Sequence, residues 1–161
     1  VVRAQLMEKT FILRSEEDTI GFGAAVGLLL PRGAFVAMYG GLGAGKTTMV
    51  RGIASSLGAD HRDIMSPTFT IVREHTISVP FFHFDAYRLS GSDELYAIGF
   101  DEYLNRDGII IMEWPENVRD ALPEDRLEIH ITGNGAEPRV VRLDSRGSEY
   151  ELIIKNLYIN A

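Results

Sequence analysis

The chain of 161 residues contains no cysteine, and only three of its 16 basic lysine and arginine residues are lysines. Without thiols it can form neither a disulfide nor a thiolate-bound metal centre, which fits a reducing compartment. It also lacks any apolar run long enough to cross a bilayer, and nothing at its start reads as a leader. The expectation is a cytoplasmic protein with no membrane partner. Positive charge is scarce: 16 basic residues face 23 acidic ones, for a formal net charge of -7. Such a balance argues against a surface that attracts nucleic acid as a whole. Repeats, low-complexity tracts and linkers are missing as well, so residues 1–161 read as a single domain. Residues 1–7, "VVRAQLM", read as a flexible N-terminal extension of it.

What is present is a set of short, well-punctuated elements. "KTFIL" (Lys9 to Leu13) reads as a strand, and "SEED" supplies a helix start with Ser15 as N-cap and Asp18 three residues on. That helix runs to Pro31. "AFVAMY" is a continuous apolar run suited to a strand buried on both faces. "KTTMVRGIASSLG" has helical periodicity and ends at Gly58. "TFTIVREH" (Thr68 to His75) and "FFHFDAYRL" (Phe81 to Leu89) read as two strands tightly connected through Pro80. A short helix is expected at "SDELYAIG" and a buried strand at "GIIIMEW" (Gly108 to Trp114). "RLEIHIT" and "PRVVRLD" flank "GNGAE" as a hairpin, and the tail "SEYELIIKNLYI" fits either a capped helix or an edge strand. Buried strands mixed with helices indicate α/β architecture: a P-loop NTPase-like mixed sheet flanked by helices.

The stretch Gly40-Gly41-Leu42-Gly43-Ala44-Gly45-Lys46-Thr47 fits G-x-x-x-x-G-K-[ST]. Successive backbone N–H groups must turn inward to cradle phosphate oxygens, and side chains obstruct that turn. The following helix adds the positive end of its dipole, Lys46 reaches the β- and γ-phosphates, and the Thr47 hydroxyl ligates Mg²⁺. From average glycine usage the pattern arises by chance in roughly one chain of this length in a few hundred. Here it also follows a buried strand and precedes a helix, as the motif requires. Guanine-reading proteins carry N/T-K-x-D, and Lys9 and Lys155 lie outside any such pattern, so ATP is the expected nucleotide.

A phosphate loop needs a carboxylate at the end of a neighbouring strand to hold Mg²⁺ or its waters. Asp85 ends "FFHFD" and Glu113 ends "IIIME"; the sequence leaves open which of them touches the metal. Ser66-Pro67-Thr68 lies where switch segments run, and Thr68 is placed to sense the γ-phosphate. Trp114 reads equally as a hydrophobic anchor or as a lid on the nucleotide. The four histidines show no mutual ligand spacing, although His83 alternates with Phe82 and Phe84 and so can face the site.

In chain order, "GLGAGKTT", "SPTFT", "HFDAYRL", "GF-DEYL" and "IMEWPENV" resemble the bacterial TsaE (YjeE) family, from the Ser15 helix to "RLEIHI". The resemblance implies a small Mg²⁺-dependent ATPase that works with the partner proteins TsaB and TsaD on threonylcarbamoyladenosine in tRNA, with tRNA itself contacted indirectly. It implies catalytic roles for Lys46, Thr68, Asp85 and Glu113, and metal contacts from Thr47, Asp85 and Glu113. It also implies nucleotide contacts from Ser15, Gly40, Gly43, Ala44, Gly45, Lys46, Thr47, Thr48, Trp114 and Gly135. Gly41 departs from the family, which usually has aspartate there. Two rival readings remain: a P-loop small-molecule kinase with Arg119 or Arg126 as its lid, and a nucleotide-gated binding module without essential hydrolysis.

Overall fold

Phe35–Tyr39 can be buried on both faces only in the middle of a covered sheet, and the computed structural model, which describes residues 7–157, places it there. Seven strands form one sheet: β1 (Glu8–Leu13), β2 (Phe35–Tyr39), β3 (Val72–Thr76), β4 (Pro80–Asp85), β5 (Ile109–Glu113), β6 (Arg126–Thr132) and β7 (Arg139–Arg146). Their order is β1-β7-β6-β2-β5-β4-β3. The pairs β6–β2, β2–β5 and β5–β4 are parallel, whereas β7, β1 and β3 join by antiparallel pairing. Parallel pairing aligns the carboxyl ends of β2, β4 and β5 on one edge, with Met38 opposite Glu113 and Asp85 opposite Glu113. In open α/β sheets that edge is where ligands bind.

One face of the sheet packs α1 (Glu16–Leu29), α2 (Lys46–Ser56) and α5 (Ser148–Asn156) over Val36, Met38, Ile111, Ile129 and Leu143. The other face buries Phe35, Phe82, Phe84 and Met112 under α3 (Ser92–Ala97), α4 (Phe100–Asn105) and the 3-10 segment Pro115–Ala121. On the β6–β7 side this second face is polar instead. Glu128 there bonds Arg126 at 2.9 Å, and His130 lies 3.4 Å from both Glu128 and Asp144.

α1 starts as its sequence requires: the Ser15 hydroxyl accepts from Asp18 N–H at 3.0 Å, and the Asp18 carboxylate accepts from Arg14 N–H at 2.9 Å. Its packing on α2 depends on missing side chains. A Cβ at Gly23 would lie 2.3 Å from the Met49 carbonyl, and one at Gly52 would lie 2.1 Å from the Ile20 carbonyl. Backbone therefore meets backbone, which draws the start of α1 beside the start of α2.

Several boundaries differ from the sequence reading. The strand expected over Thr68–His75 begins only at Val72, because Thr68–Thr70 form a turn and Ile71 takes φ 71°. The strand expected over Phe81–Leu89 ends at Asp85, whose side chain bonds the Tyr87 N–H at 2.8 Å and turns the chain. Pro80 opens β4 rather than forming the connection. α4 was not anticipated. The tail is a helix over its described part, and Tyr158 onward lies outside the described residues, as do residues 1–6 of the expected extension. Met7, assigned to that extension, is instead tied to β7 by hydrogen bonds of 3.0 and 2.8 Å with Ser145.

Gly52→Ala should cost about 1–3 kcal/mol by overpacking the α1–α2 contact. Gly21→Ala, where nothing lies within 4 Å of an added Cβ, should stabilise by about 0.5–1 kcal/mol. Urea unfolding of both variants checks the contrast. A second expectation concerns pH. Burial pushes the Glu128 carboxyl up, but hydrogen bonds from His130 and Arg126 and the charges of Arg126 and Arg146 outweigh it and hold the group at about 2, below the ordinary 4.5. A depressed folded value stabilises the protein above the unfolded pKa, and this contribution is lost as pH falls from about 4.5 to 2. Glu128→Gln should flatten the decline of melting temperature across that window.

Candidate functional site

At the carboxyl edge, β2 runs into the glycine loop and the chain re-enters a helix at Lys46. Gly43 and Gly45 take φ of 78° and 106°, the left-handed region that side chains resist. Gly40 is excluded from bearing a side chain for another reason: its Cβ would lie 2.9 Å from the Ile131 carbonyl of β6. Gly41 has open space around it and no positive φ, so its lack of a side chain answers no local demand. An aspartate there, as in the resembled family, fits sterically.

The loop has a cleft on each side. The first, about 320 Å³, is lined by residues 41–48 together with Ser66, Thr68, Asp85, Tyr87, Glu113 and Trp114. Lys46 reaches across it: its amine donates to the Gly40 carbonyl and sits 3.7 Å from the centroid of the Trp114 ring. Burial pushes the Lys46 amine below its ordinary value, partly offset by the Glu113 charge. Trp114 holds this position in a left-handed conformation, φ 59°, seldom adopted by a bulky residue. Tyr87 packs on its ring at 4.9 Å between centroids. Trp114 is thus a cation–π partner of the loop lysine, a role between the anchor and lid expected of it.

Glu113 and Asp85 are both 2% exposed, and each has hydrogen-bond partners. Thr47 Oγ1 lies 3.4 Å from both carboxylate oxygens of Glu113. His83 Nε2 lies 2.6 Å from Glu113 Oε2. Asp85 Oδ2 accepts from Thr68 Oγ1 at 2.8 Å and Ser66 Oγ at 3.1 Å, and the Asp85 N–H donates to the Ile71 carbonyl at 2.8 Å. The Ser-Pro-Thr turn is thereby strapped to the strand end that carries the second acid. Thr47, Glu113 and Asp85 offer only oxygen donors, a set that suits Mg²⁺ rather than a softer metal.

The second cleft, about 370 Å³, lies between the loop, the start of α1 and the hairpin tip. Ser15, Thr19, Gly43, Gly45, Thr48, Gly135 and Arg139 border it. Ser15 and Gly135, distant in sequence from the loop, are therefore brought against it. Three participants escaped the sequence reading. Arg139 of β7 donates from Nε to the Ala44 carbonyl at 2.9 Å and from Nη2 to the Gly43 and Gly135 carbonyls at 3.3 and 3.2 Å. It clamps the loop to the hairpin, and no motif marks it. Ser66 and Tyr87 lay inside the quoted motifs but were given no role. Arg126, by contrast, bonds Glu128 and the Pro123 carbonyl at 2.7 Å, and neither it nor Arg119, the arginines of the kinase reading, borders either cleft.

A model of the family described as "Threonylcarbamoyl adenosine biosynthesis protein TsaE" matches residues 13–141. The tRNA threonylcarbamoyladenosine biosynthesis protein TsaE of Bacillus subtilis is 35% identical over 142 residues, which is 88% of each chain. The protein of the same name from Treponema pallidum is 38% identical over 120 residues, 74% of this chain and 88% of that one. The crystal structure of Bacillus subtilis YdiB superposes with a TM-score of 0.82 at 28% identity, covering 96% of this chain and 97% of the other.

Because Arg139 ties two loop carbonyls to the hairpin, Arg139→Ala should loosen the loop and weaken binding of pyrophosphate or nucleotide about tenfold. Isothermal titration with each ligand measures this, and unchanged affinity would remove Arg139 from the site.

Proposed function

The chain belongs to the TsaE family, and we propose that it is a Mg²⁺-dependent ATPase serving tRNA N6-threonylcarbamoyladenosine biosynthesis in the cytoplasm. Its partners on this reading are TsaB- and TsaD-like proteins, with tRNA contacted through them. The observation that carries the proposal is the convergence, in one cleft, of the glycine loop, Lys46, the Thr47–Glu113 contact and the Thr68–Asp85 contact.

The loop amides and the start of α2 form a cradle for phosphate oxygens, and Lys46 neutralises their charge. Mg²⁺, when bound, offsets charge on the phosphates, and Thr47, Glu113 and Asp85 are the residues to hold it or its waters. Glu113 Oε2 is engaged by His83, and Thr47 lies 3.4 Å from both carboxylate oxygens, which leaves Oε1, free of His83, to accept a proton from a water or to orient it. Thr68 is bonded to Asp85 through a turn exposed at Phe69, an arrangement able to pass a change at the phosphates to a docked partner. The second cleft, with Ser15, Thr48 and Gly135, is assigned to the nucleoside. Chemistry of this kind consists of positioning and charge neutralisation, and it is slow until a partner completes the site.

The test is reconstitution of tRNA threonylcarbamoylation with TsaB and TsaD, with and without this protein and ATP. Repeated turnover should depend on both. Glu113→Ala should retain ATP binding while lowering hydrolysis about a hundredfold or more and abolishing repeated modification. Full modification by that variant would favour the nucleotide-gated module, and no stimulation by the unaltered protein would overturn the assignment.

A further inference from the structure

His83 is 0% exposed in the middle of β4, a costly place for an imidazole unless its nitrogens are used. Strand alternation puts it on the same face as Asp85, two residues on, and away from the aromatic core that takes Phe82 and Phe84. Its Nε2 lies 2.6 Å from Glu113 Oε2. An ionised carboxylate can only accept, so the proton of this contact sits on Nε2. The other nitrogen, Nδ1, is buried and has no hydrogen-bond partner.

Directly across the antiparallel pair, Arg73 of β3 is the register partner of His83. Its Nε is likewise buried without a partner. Side chains at directly opposed positions start about 4.5–5.5 Å apart at Cβ, well within the reach of a guanidinium. Arginine offers donors only, and an imidazole protonated on Nε2 offers a lone pair at Nδ1. The two groups are register neighbours on one face of the strand pair, and neither nitrogen is hydrogen-bonded to the other.

We propose that His83 is the positioning residue for Glu113, its Nε2–H fixing Oε2 and with it the orientation of the carboxylate beside Thr47. Arg73 lies two residues after Ile71, whose carbonyl accepts the Asp85 N–H and whose own N–H donates to the Pro67 carbonyl at 2.6 Å. The kinetic consequence rests on the ATPase reading above; the tautomer does not.

The first experiment reads the tautomer in the unaltered protein alone, by long-range ¹H–¹⁵N spectra of the four imidazoles. His83 should appear as the Nε2–H form with a solvent-protected proton, and Glu113→Ala should abolish that protection. A Nδ1–H form, or rapid exchange in the unaltered protein, overturns the proposal. The second experiment compares His83→Leu with His83→Gln, whose amide can still donate. His83→Leu should lower kcat about tenfold or more with ATP affinity held within about threefold, and His83→Gln should recover most of the loss. Unchanged kcat in a folded His83→Leu, or a loss confined to affinity, overturns it. Failure of the unaltered protein to hydrolyse ATP even with its partners would instead sink the ATPase reading, and the spectra would still decide the role of His83.

Discussion

A carboxylate withdrawn from water must be met by donors, and the site is organised around that requirement at Glu113. The residue ends the central apolar strand β5 and is 2% exposed. Leaving such a charge unpaired would cost several kcal/mol. It is met from two directions, by Thr47 at the start of α2 and by His83 on β4, while its backbone carbonyl accepts the Ala86 N–H at 3.0 Å. Demand from one acid thus joins the glycine loop, the strand carrying the second acid and the turn that leaves it. Asp85 repeats the arrangement one strand over, drawing in Ser66 and Thr68.

The same loop is approached from its other side by residues that share no motif with it. The glycines of the α1–α2 contact let backbones touch, so Ser15 and Thr19 arrive at the loop with α1. Arg139 crosses from β7 and donates to the Gly43 and Ala44 carbonyls of the loop. One cleft therefore carries the charged groups and the other the backbone, hydroxyls and hairpin tip, with the loop as their common wall. This division matches a ligand with a polyanionic end and a less charged body.

Much of the architecture was readable in the chain. The apolar run of β2, the Ser15–Asp18 start of α1, the glycine spacing of the loop and the alternation in β6 and β7 each have a local cause, and each element appears where expected. The errors fall on the segments whose conformation is set by partners. Thr68–Ile71 is β-branched and aromatic enough to read as a strand, yet Asp85 takes its hydroxyl and Ile71 is forced to a positive φ. Trp114 reads as a strand residue and instead leaves the sheet in a left-handed turn, so that its ring meets Lys46. Both places lie at the site, where local preference yields to the arrangement of charges.

By itself the sequence determined that a glycine-rich loop stands between a buried strand and a helix, and that two acids close neighbouring apolar strands. These are properties of spacing and polarity over a few residues, and local sterics and hydrophobic burial suffice to produce them. Only the tertiary structure decided that Glu113 rather than Asp85 faces Thr47, that His83 holds it, and that Arg139 braces the loop. Those contacts join residues 30 to 96 positions apart, and strand order and register set them. No short stretch of chain contains that information.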